Sequence, residues 1–200
     1  MKRVLIIAGP SAVGKTTVAK EILDRSLGFE LSRSATTRAP RGDGHDQEYI
    51  YLSENEFRKR INAGEMLEYT EYGKNLYGTP VSEIKRIFEE GKIPLLILDI
   101  NGVISLKKSS HSFGSFAVYV TADMETLDRR LLERAEKDGF SDKAMEIYEK
   151  RKAQNREDLK KITALSGVFD SQIINSDVSE CAQDIIKSFD IISLHGDKYD

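Results

Sequence analysis

The stretch of sequence that decides the fold runs from Val4 to Thr17 and reads VLIIAGPSAVGKTT. Its first five residues are apolar and predict a buried parallel strand. The pattern G-x-x-x-x-G-K-T follows at once, and its glycines, Gly9 and Gly14, let the backbone approach a phosphate closely. Lys15 supplies a positive charge, Thr16 a hydroxyl for Mg²⁺, and the next helix its N-terminal dipole. The stretch therefore predicts binding of a nucleoside triphosphate with magnesium.

We predict that every residue of this phosphate loop contacts ATP: Gly9, Pro10, Ser11, Ala12, Val13, Gly14, Lys15, Thr16 and Thr17. The helix that follows carries its apolar residues on one face, which gives the strand–loop–helix order that the motif requires. The alternative is a flexible turn before an ordinary capped helix, but it leaves the sequence Gly14-Lys15-Thr16 unexplained.

The composition is that of one globular domain. With 200 residues, 40% hydrophobic and 32% charged, the chain is long enough to bury one core. A net charge of −3 gives no general attraction to nucleic acid or to a membrane surface. No apolar run reaches the ~18 residues of a membrane span, and the N-terminal run is too short for a signal peptide, so we expect a cytoplasmic enzyme. Cys181 is the only cysteine, which excludes an intrachain disulfide.

Strands and helices alternate along most of the chain. Apolar runs predict further strands at 93–98, 116–120 and 171–175. Capping patterns and periodicity predict helices after Ser53, after Thr79-Pro80 and after Asp177, and others at about 102–109, 123–137 and 141–161. This alternation predicts an α/β fold of three layers, in which helices flank a parallel β-sheet and ligands lie at the carboxyl ends of its strands.

Two segments break this rhythm. Residues 32–81 are polar and rich in Arg, Tyr and Gly, and the strand-like pieces in and beside them are at 28–33, 48–52 and 66–70. We interpret this segment as an insertion that carries specificity. Residues 128–161 are rich in Lys and Arg and predict a mobile helical lid.

Several polar side chains in these regions are candidates for the site. The strand at 93–98 ends in Asp99, which either supports Mg²⁺ or caps the next helix. Arg38 and Arg41 lie on one short loop and match phosphate geometry as a pair, whereas two solvated loop arginines are the alternative.

Two tyrosines and a polar pair extend this set. Tyr49 and Tyr77 offer hydroxyl donors to the same anion, and Glu68 and Thr79 offer groups that can read a base edge. Each has a plainer interpretation: Tyr49 as a strand aromatic, Glu68 as a solvated acid, and Thr79 as the N-cap of the helix that starts at Pro80.

Taken together, these motifs resemble the guanylate kinase family. The resembling segments run along most of the chain: GPS and GKT of the phosphate loop, TTRAPR at 36–41, EY at 48–49, EY at 68–69, NLYGT at 75–79, LDI at 98–100, RLLER at 130–134 and IN at 174–175. The resemblance implies transfer of the γ-phosphoryl group of ATP to GMP and dGMP, with Mg²⁺ and without nucleic acid or membrane partners. It also implies a single domain with a P-loop kinase core at 1–31, 82–123 and 162–200, a small mixed α/β GMP-binding lobe at 32–81 and a helical lid at 124–161.

The resemblance further assigns roles to residues. It implies that the phosphate of GMP is held by Arg38, Arg41, Tyr49 and Tyr77. It implies that guanine is recognised by Ser34, Glu68 and Thr79, with Asp99 also beside GMP. A carboxylate at position 68 accepts from guanine N1–H and N2–H₂, a pair of donors that adenine lacks on that edge.

The remaining roles concern charge. The resemblance implies that catalytic positive charge comes from Lys15, Arg38, Arg130, Arg134 and Arg151. It places Asn175 near the adenine of ATP, and Thr16 and Asp99 near the metal. Without the resemblance, a solvated helix face would be the preferred interpretation of Arg130 and Arg134.

Two departures from the family pattern stand out. Ala12 takes a position where the family often has glycine. After Leu98-Asp99-Ile100 the chain is two residues shorter than the usual pattern, and Asn101 replaces an acid that helps to hold guanine. Two alternatives therefore stay open: a kinase of the same fold with another small phosphorylated acceptor, and a non-catalytic protein-interaction module.

Overall fold

The chain folds around two β-sheets. The computed structural model describes residues 2–40, 46–72, 74–109, 112–165 and 167–195. Its strands are β1 (Arg3–Ala8), β2 (Phe29–Leu31), β3 (Ser34–Thr36), β4 (Tyr49–Tyr51), β5 (Met66–Tyr72), β6 (Asn75–Pro80), β7 (Ile93–Ile97), β8 (Gly114–Thr121) and β9 (Ser171–Ile174). Its helices are α1 (Lys15–Arg25), α2 (Glu54–Asn62), α3 (Val81–Glu89), α4 (Ile100–Lys108), α5 (Met124–Lys137), α6 (Asp142–Ala164) and α7 (Val178–His195). None of these described helices combines the length and apolar character that crossing a membrane requires.

The larger sheet is parallel and frames the site. Its strand order is β2-β7-β1-β8-β9, and every neighbouring pair runs parallel. On the central strand β1, Leu5 and Ile7 join an apolar cluster with α1 and α7, whereas Val4 and Ile6 join a cluster with α3 and α4 on the opposite face. Because helices cover both faces of this sheet, apolar and polar residues do not alternate along β1. The prediction of a parallel sheet flanked by helices is confirmed.

The smaller sheet has the order β4-β3-β6-β5. β3 pairs with β4 in parallel and with β6 antiparallel, and β5 and β6 are also antiparallel. Its own small core is formed by Ala35, Phe57 and Leu76, with α2 covering it. The strand predicted at 28–33 is present as β2, but it does not belong to the smaller sheet with the rest of the inserted segment: β2 pairs with β7, and Phe29 packs on Phe189 in the main core at 5.5 Å between ring centroids.

Helix caps explain where several helices begin. Ser53 caps α2 as predicted, since its side chain accepts from the backbone N–H of Glu56. Asp99 caps α4 by accepting from Gly102 N at 2.7 Å, so this helix begins at Ile100, earlier than the predicted 102. The interpretation of Thr79 as a cap is wrong: Pro80 is the N-cap of α3 and Thr79 belongs to β6.

A buried carboxylate ties the two sheets together. Glu83 on α3 is 4% exposed and accepts from Arg33 Nε at 3.0 Å and from Arg86 Nη2 at 2.9 Å. Burial alone would raise the pKa of Glu83, but the hydrogen bonds from these two arginines outweigh it and lower the pKa to about 2. Because Arg33 immediately precedes β3 and Glu83 follows β6, their pairing holds the chain where it enters and leaves the smaller sheet.

Replacing Glu83 by Ala should lower the free energy of unfolding at pH 7 by about 1–2 kcal/mol, because both arginines lose their shared acceptor. The matched control is Glu54→Ala, which breaks an exposed pair with Arg58 and should cost less than about 0.5 kcal/mol. The pKa of Glu83 is lowered, so its contribution is present above pH 4.5 and should be lost as the pH falls toward 2. Urea unfolding measures both variants, and equal losses would contradict the role of Glu83.

Candidate active site

The phosphate loop connects β1 to α1 and lies against the neighbouring strand. Gly9 packs so closely on β8 that a Cβ there would lie 2.1 Å from the carbonyl oxygen of Val120. Gly14 has a φ of 100°, a left-handed value that favours glycine. Ala12 has a φ of 65°, a left-handed value at which a glycine would be less strained than an alanine. The loop backbone is thus fixed by the sheet on one side and by left-handed turns on the other.

Side chains from distant parts of the chain satisfy the carbonyl oxygens of this loop. Nζ of Lys15 donates to the carbonyls of the loop's first two residues, at 2.8 and 3.0 Å. The carbonyl of Val13 accepts from Asn175 Nδ2 at 2.7 Å and from Arg130 Nη1 at 3.1 Å. These donors bond the loop carbonyls from directions that a bound anion would not occupy.

A further donor comes from helix α6. Asn155 is fully buried, accepts from the backbone N–H of Ser11 at 2.7 Å and donates to the Ser11 carbonyl at 3.0 Å. The sequence reasoning missed this residue. The sequence carries a partial signal, because Asn155 stands at helical spacing from Tyr148, Leu159 and Ile162, on the face of α6 that the structure buries, but nothing in the sequence names its partner.

A cavity of about 550 Å³ opens above the phosphate loop. Predicted site residues that line it are Gly9, Ser11, Ala12, Gly14, Lys15, Thr16, Thr17, Asp99, Arg134 and Arg151. Lining residues that the sequence analysis did not single out for the site are Thr70, Glu71, Ile100, Lys150, Gln154, Asp158 and Lys161, and the substituted Asn101 also lines it. The positive side chains outnumber the negative ones, as binding of a polyphosphate requires.

A second cavity of about 290 Å³ lies on the other side of the loop. It is lined by Ala12, Gly14, Thr17, Arg130, Glu133, Arg134, Lys137, Asn175 and Val178. Arg130 therefore lies apart from Arg151, while Arg134 lines both cavities. Asn175 stands at this second cavity, and its buried Oδ1 has no hydrogen-bond partner within the described part of the chain.

The charges around Lys15 change its pKa. Burial lowers the pKa of Lys15 from 10.5 to about 8, with a further lowering by Arg134, while Asp158 and Asp99 act in the opposite direction. Burial likewise lowers the pKa of Arg134, and Arg151 adds to that effect. A bound anion would relieve this repulsion, so the cavity is preorganised for negative charge.

The register of the smaller sheet brings the predicted acceptor residues onto one face. Glu68 lies opposite Thr79, and two residues further along Thr70 lies opposite Tyr77. Because side chains alternate along strands, Glu68, Thr70, Tyr77 and Thr79 share a face. On β3, Thr36 lies opposite Tyr77 of β6, so Ser34, two residues before Thr36, belongs to the same face. On β4, Tyr49 lies opposite Ser34 and belongs to this face as well. Thr70 lines the larger cavity, so this face continues into the triphosphate site.

Glu68 is the buried acid of this face. It is 5% exposed, and Oε1 accepts from the Thr79 hydroxyl at 2.8 Å. Burial, with an added contribution from Asp99, raises its pKa from 4.5 to about 7, although the Thr79 hydrogen bond opposes the shift. A Cβ at Gly102 would lie 3.2 Å from Glu68 Oε2, so the acid rests against the first turn of α4. The interpretation of Glu68 as a solvated acid is wrong.

The predicted phosphate-binding residues are only partly described. The guanidinium carbon of Arg38 lies 5.1 Å from the ring centroid of Tyr49 and 5.9 Å from that of Tyr51. These ring contacts hold Arg38 beside the shared face, and its Nη1 also donates to the carbonyl of Ala39 at 3.1 Å. Arg41 lies outside the described residues.

Thr16 and Asp99 line the same cavity, where we expected a metal. Capping of α4 occupies one oxygen of the Asp99 carboxylate, and the other suffices for a contact with a metal-bound water. The described residues contain no cluster of three or more His, Cys, Asp or Glu that could hold a metal by themselves. One hydroxyl and one carboxylate fit Mg²⁺, which keeps several waters and takes other ligands from phosphates.

Comparison with known proteins agrees with this geometry. A family model described as guanylate kinase matches residues 1–190. Guanylate kinases from Prochlorococcus marinus subsp. pastoris and Porphyromonas gingivalis are each 35% identical to the chain, over 94% of it and 96% of their own lengths. The crystal structure of guanylate kinase from Anaplasma phagocytophilum shares the fold, with a TM-score of 0.69 at 23% identity over 95% of this chain and 85% of that one. The chain therefore belongs to the guanylate kinase family, whose members are nucleoside monophosphate kinases.

Proposed function

We propose that this protein transfers the γ-phosphoryl group of ATP to GMP and dGMP in the cytoplasm, with Mg²⁺ as cofactor. The observation that carries the proposal is the shared face of the smaller sheet. Glu68 and Thr79 form a buried polar pair on that face, and Thr70 on the same face lines the cavity of the phosphate loop. A base-reading group and a triphosphate site are thus contiguous.

In this proposal the phosphate loop and the residues around it form the donor half. Backbone N–H groups of the loop and Nζ of Lys15 bind the β- and γ-phosphates, and Asn175 lies beside the adenine. Thr16, and Asp99 through a water, would hold Mg²⁺, and the ion would supply positive charge beside the transferring group. We propose that residues 124–161, which contain α5 and most of α6, act as a lid over this core.

The residues 32–81 form the acceptor half, a GMP-binding lobe. The carboxylate of Glu68 accepts from the two donors on the guanine edge, while Ser34 and Thr79 stand beside it on the same face. Arg38, together with Arg41, Tyr49 and Tyr77, binds the acceptor phosphate. The Thr79 hydroxyl donates to Glu68 and holds it in place, which leaves the hydroxyl oxygen to accept from a donor on the base.

No general base is required in this reaction, because the acceptor phosphate is already an anionic nucleophile. Catalysis rests on alignment of the two phosphates and on stabilisation of the transferring charge. Arg134 and Arg151 line the cavity together with Lys15, which supports their proposed role in supplying that charge. Closure of a lid would also exclude the water that could otherwise accept the phosphoryl group.

A second candidate function is a kinase of the same fold that takes another phosphorylated acceptor. The observation that favours it is Asn101, which lines the larger cavity beside Asp99 with an amide that both donates and accepts. The intact phosphate loop counts against a non-catalytic interaction module.

An acceptor panel tests the proposal. We expect Mg²⁺-dependent release of ADP with GMP and dGMP, and at least about a hundredfold lower kcat/KM with AMP, CMP and UMP, since these lack the donor pair that Glu68 reads. A coupled ADP assay gives all values under one set of conditions. Faster turnover with another acceptor supports the second candidate, and no turnover with any acceptor contradicts both kinase proposals.

Substitution of Glu68 by Gln should separate function from stability. We expect the KM for GMP to rise at least about tenfold while the KM for ATP stays within about twofold, because only guanine loses its carboxylate partner. The same change should raise the free energy of unfolding at pH 8 by up to about 3 kcal/mol, since a buried charge is removed. Glu65→Gln, at an exposed position, is the control and should change neither of the two KM values nor the free energy of unfolding. Because the pKa of Glu68 is raised, the stability gain should develop as the pH rises from 4.5 to about 7.

The lowered pKa of Lys15 predicts a pH dependence of ATP binding. A triphosphate favours the charged amine, so the Kd for ATP should rise about tenfold per pH unit above pH 8, where the free protein loses that proton. In Lys15→Arg the charge persists, and the weaker binding of this variant should show no such rise. Titration calorimetry between pH 7 and 10 covers the relevant range. Equal slopes for the two proteins would contradict the assignment to Lys15.

A further inference from the structure

Asn155 is an unusual residue for its place in the fold. It is fully buried in the middle of α6, whereas the residues on either side of it, Gln154 and Arg156, are exposed. A helix position in contact with the core is normally apolar, and an amide is retained there only when its hydrogen bonds are satisfied. Here both polar atoms of the amide are bonded to a single residue, Ser11.

The two hydrogen bonds form a closed pair. Oδ1 of Asn155 accepts from Ser11 N at 2.7 Å, and Nδ2 donates to Ser11 O at 3.0 Å, across 144 positions of sequence. An amide is the side chain that can serve both groups at once, because a carboxylate has no donor and an ammonium has no acceptor. The pair fixes the orientation of the Ser11 peptide groups, as pairing with a neighbouring strand would.

This contact reaches the phosphate-binding groups through the loop. The carbonyl of Pro10, next to Ser11, accepts from Nζ of Lys15, and so does the carbonyl of Gly9. Because Ser11 N and the Pro10 carbonyl belong to one peptide group, rotation of that group would move one of the two acceptors that hold the lysine amine. Holding Ser11 in place holds the amine in place.

The same contact also reaches the charged face of α6. Arg151 lies one helical turn before Asn155 and Asp158 lies just under one turn after it. Both line the cavity over the phosphate loop, together with Ser11 and Lys15. Asn155 thus joins the loop to the part of α6 that carries cavity-lining charges on either side.

We infer that Asn155 is a positioning residue for the donor nucleotide: it couples α6 to the phosphate loop and thereby sets the affinity for the triphosphate. The inference rests on the proposed function only in taking ATP as the ligand of the loop. It does not depend on which acceptor the protein phosphorylates.

Three variants isolate the contact. Asn155→Ala removes it, and Ala has the higher helix propensity, so the helix itself is not weakened. Combining Asn155→Ala with Ala153→Asn moves the asparagine to an exposed position and keeps the composition of α6 unchanged. Ala153→Asn alone keeps the contact and serves as the control.

We expect the two variants that lack Asn155 to bind Mg·ATP about tenfold more weakly than the wild-type protein, with the Kd for GMP within about twofold. The control should match the wild-type protein in both. Titration calorimetry on folded protein gives these constants without turnover. A role in folding alone would lower the melting temperature and leave both constants unchanged, and that outcome overturns the inference.

A measurement on the wild-type protein needs no variant. The Ser11 amide proton, held by Asn155, should exchange with solvent at least about a hundredfold more slowly than an unstructured amide, in the absence of nucleotide. Exchange at the unstructured rate would show that the contact does not form in solution and would overturn the inference. Absence of GMP-dependent turnover, by contrast, would overturn the proposed function and leave both of these readouts intact.

Discussion

The structure depends on one constraint, the backbone polarity of the phosphate loop. The loop must keep N–H groups available for an anion, so its carbonyl oxygens need donors from elsewhere. Lys15 donates to two of these carbonyls, Asn155 of α6 donates to another, and Asn175 and Arg130 both donate to a fourth. A short loop is therefore shaped by side chains that follow β9 or lie on α5 and α6. These contacts explain why the loop and the surrounding helices form one unit.

The two halves of the site hold charges that the fold itself opposes. Burial lowers the pKa of Lys15 to about 8 and raises that of Glu68 to about 7, so each group favours its neutral form more than it would in water. In the proposed reaction, a substrate group of the opposite kind would restore each charge: phosphate for the amine, and the guanine donors for the carboxylate. Local destabilisation of this kind is common at functional sites.

The sequence predicted much of this arrangement, for identifiable reasons. The phosphate loop and the strand before it were recognisable because glycine spacing and an apolar run are local signals. The pairing of Glu68 with Thr79 was predictable only in part: both residues were named, but the cap interpretation of Thr79 fails because the strand continues to Pro80. The strand at 28–33 was predicted correctly but grouped with the inserted segment, whereas β2 joins the larger sheet, since no local signal tells which sheet a short strand joins. Asn155 was missed because its partner lies 144 residues away, on backbone atoms that carry no sequence signal.

The division of the chain between two sheets has a consequence for altering the protein. The smaller sheet has its own apolar core of Ala35, Phe57 and Leu76, and the phosphate loop is attached to the larger sheet alone. Pocket residues on β3, β4 and β6 can thus be varied as a set with little effect on the core under the loop, whereas β5 contributes Leu67 to that core and its Glu68 rests against α4. A library of variants on that sheet could be screened for new acceptors, including nucleotides with unnatural bases. The triphosphate site, which supplies the phosphoryl group, would stay unchanged in every variant.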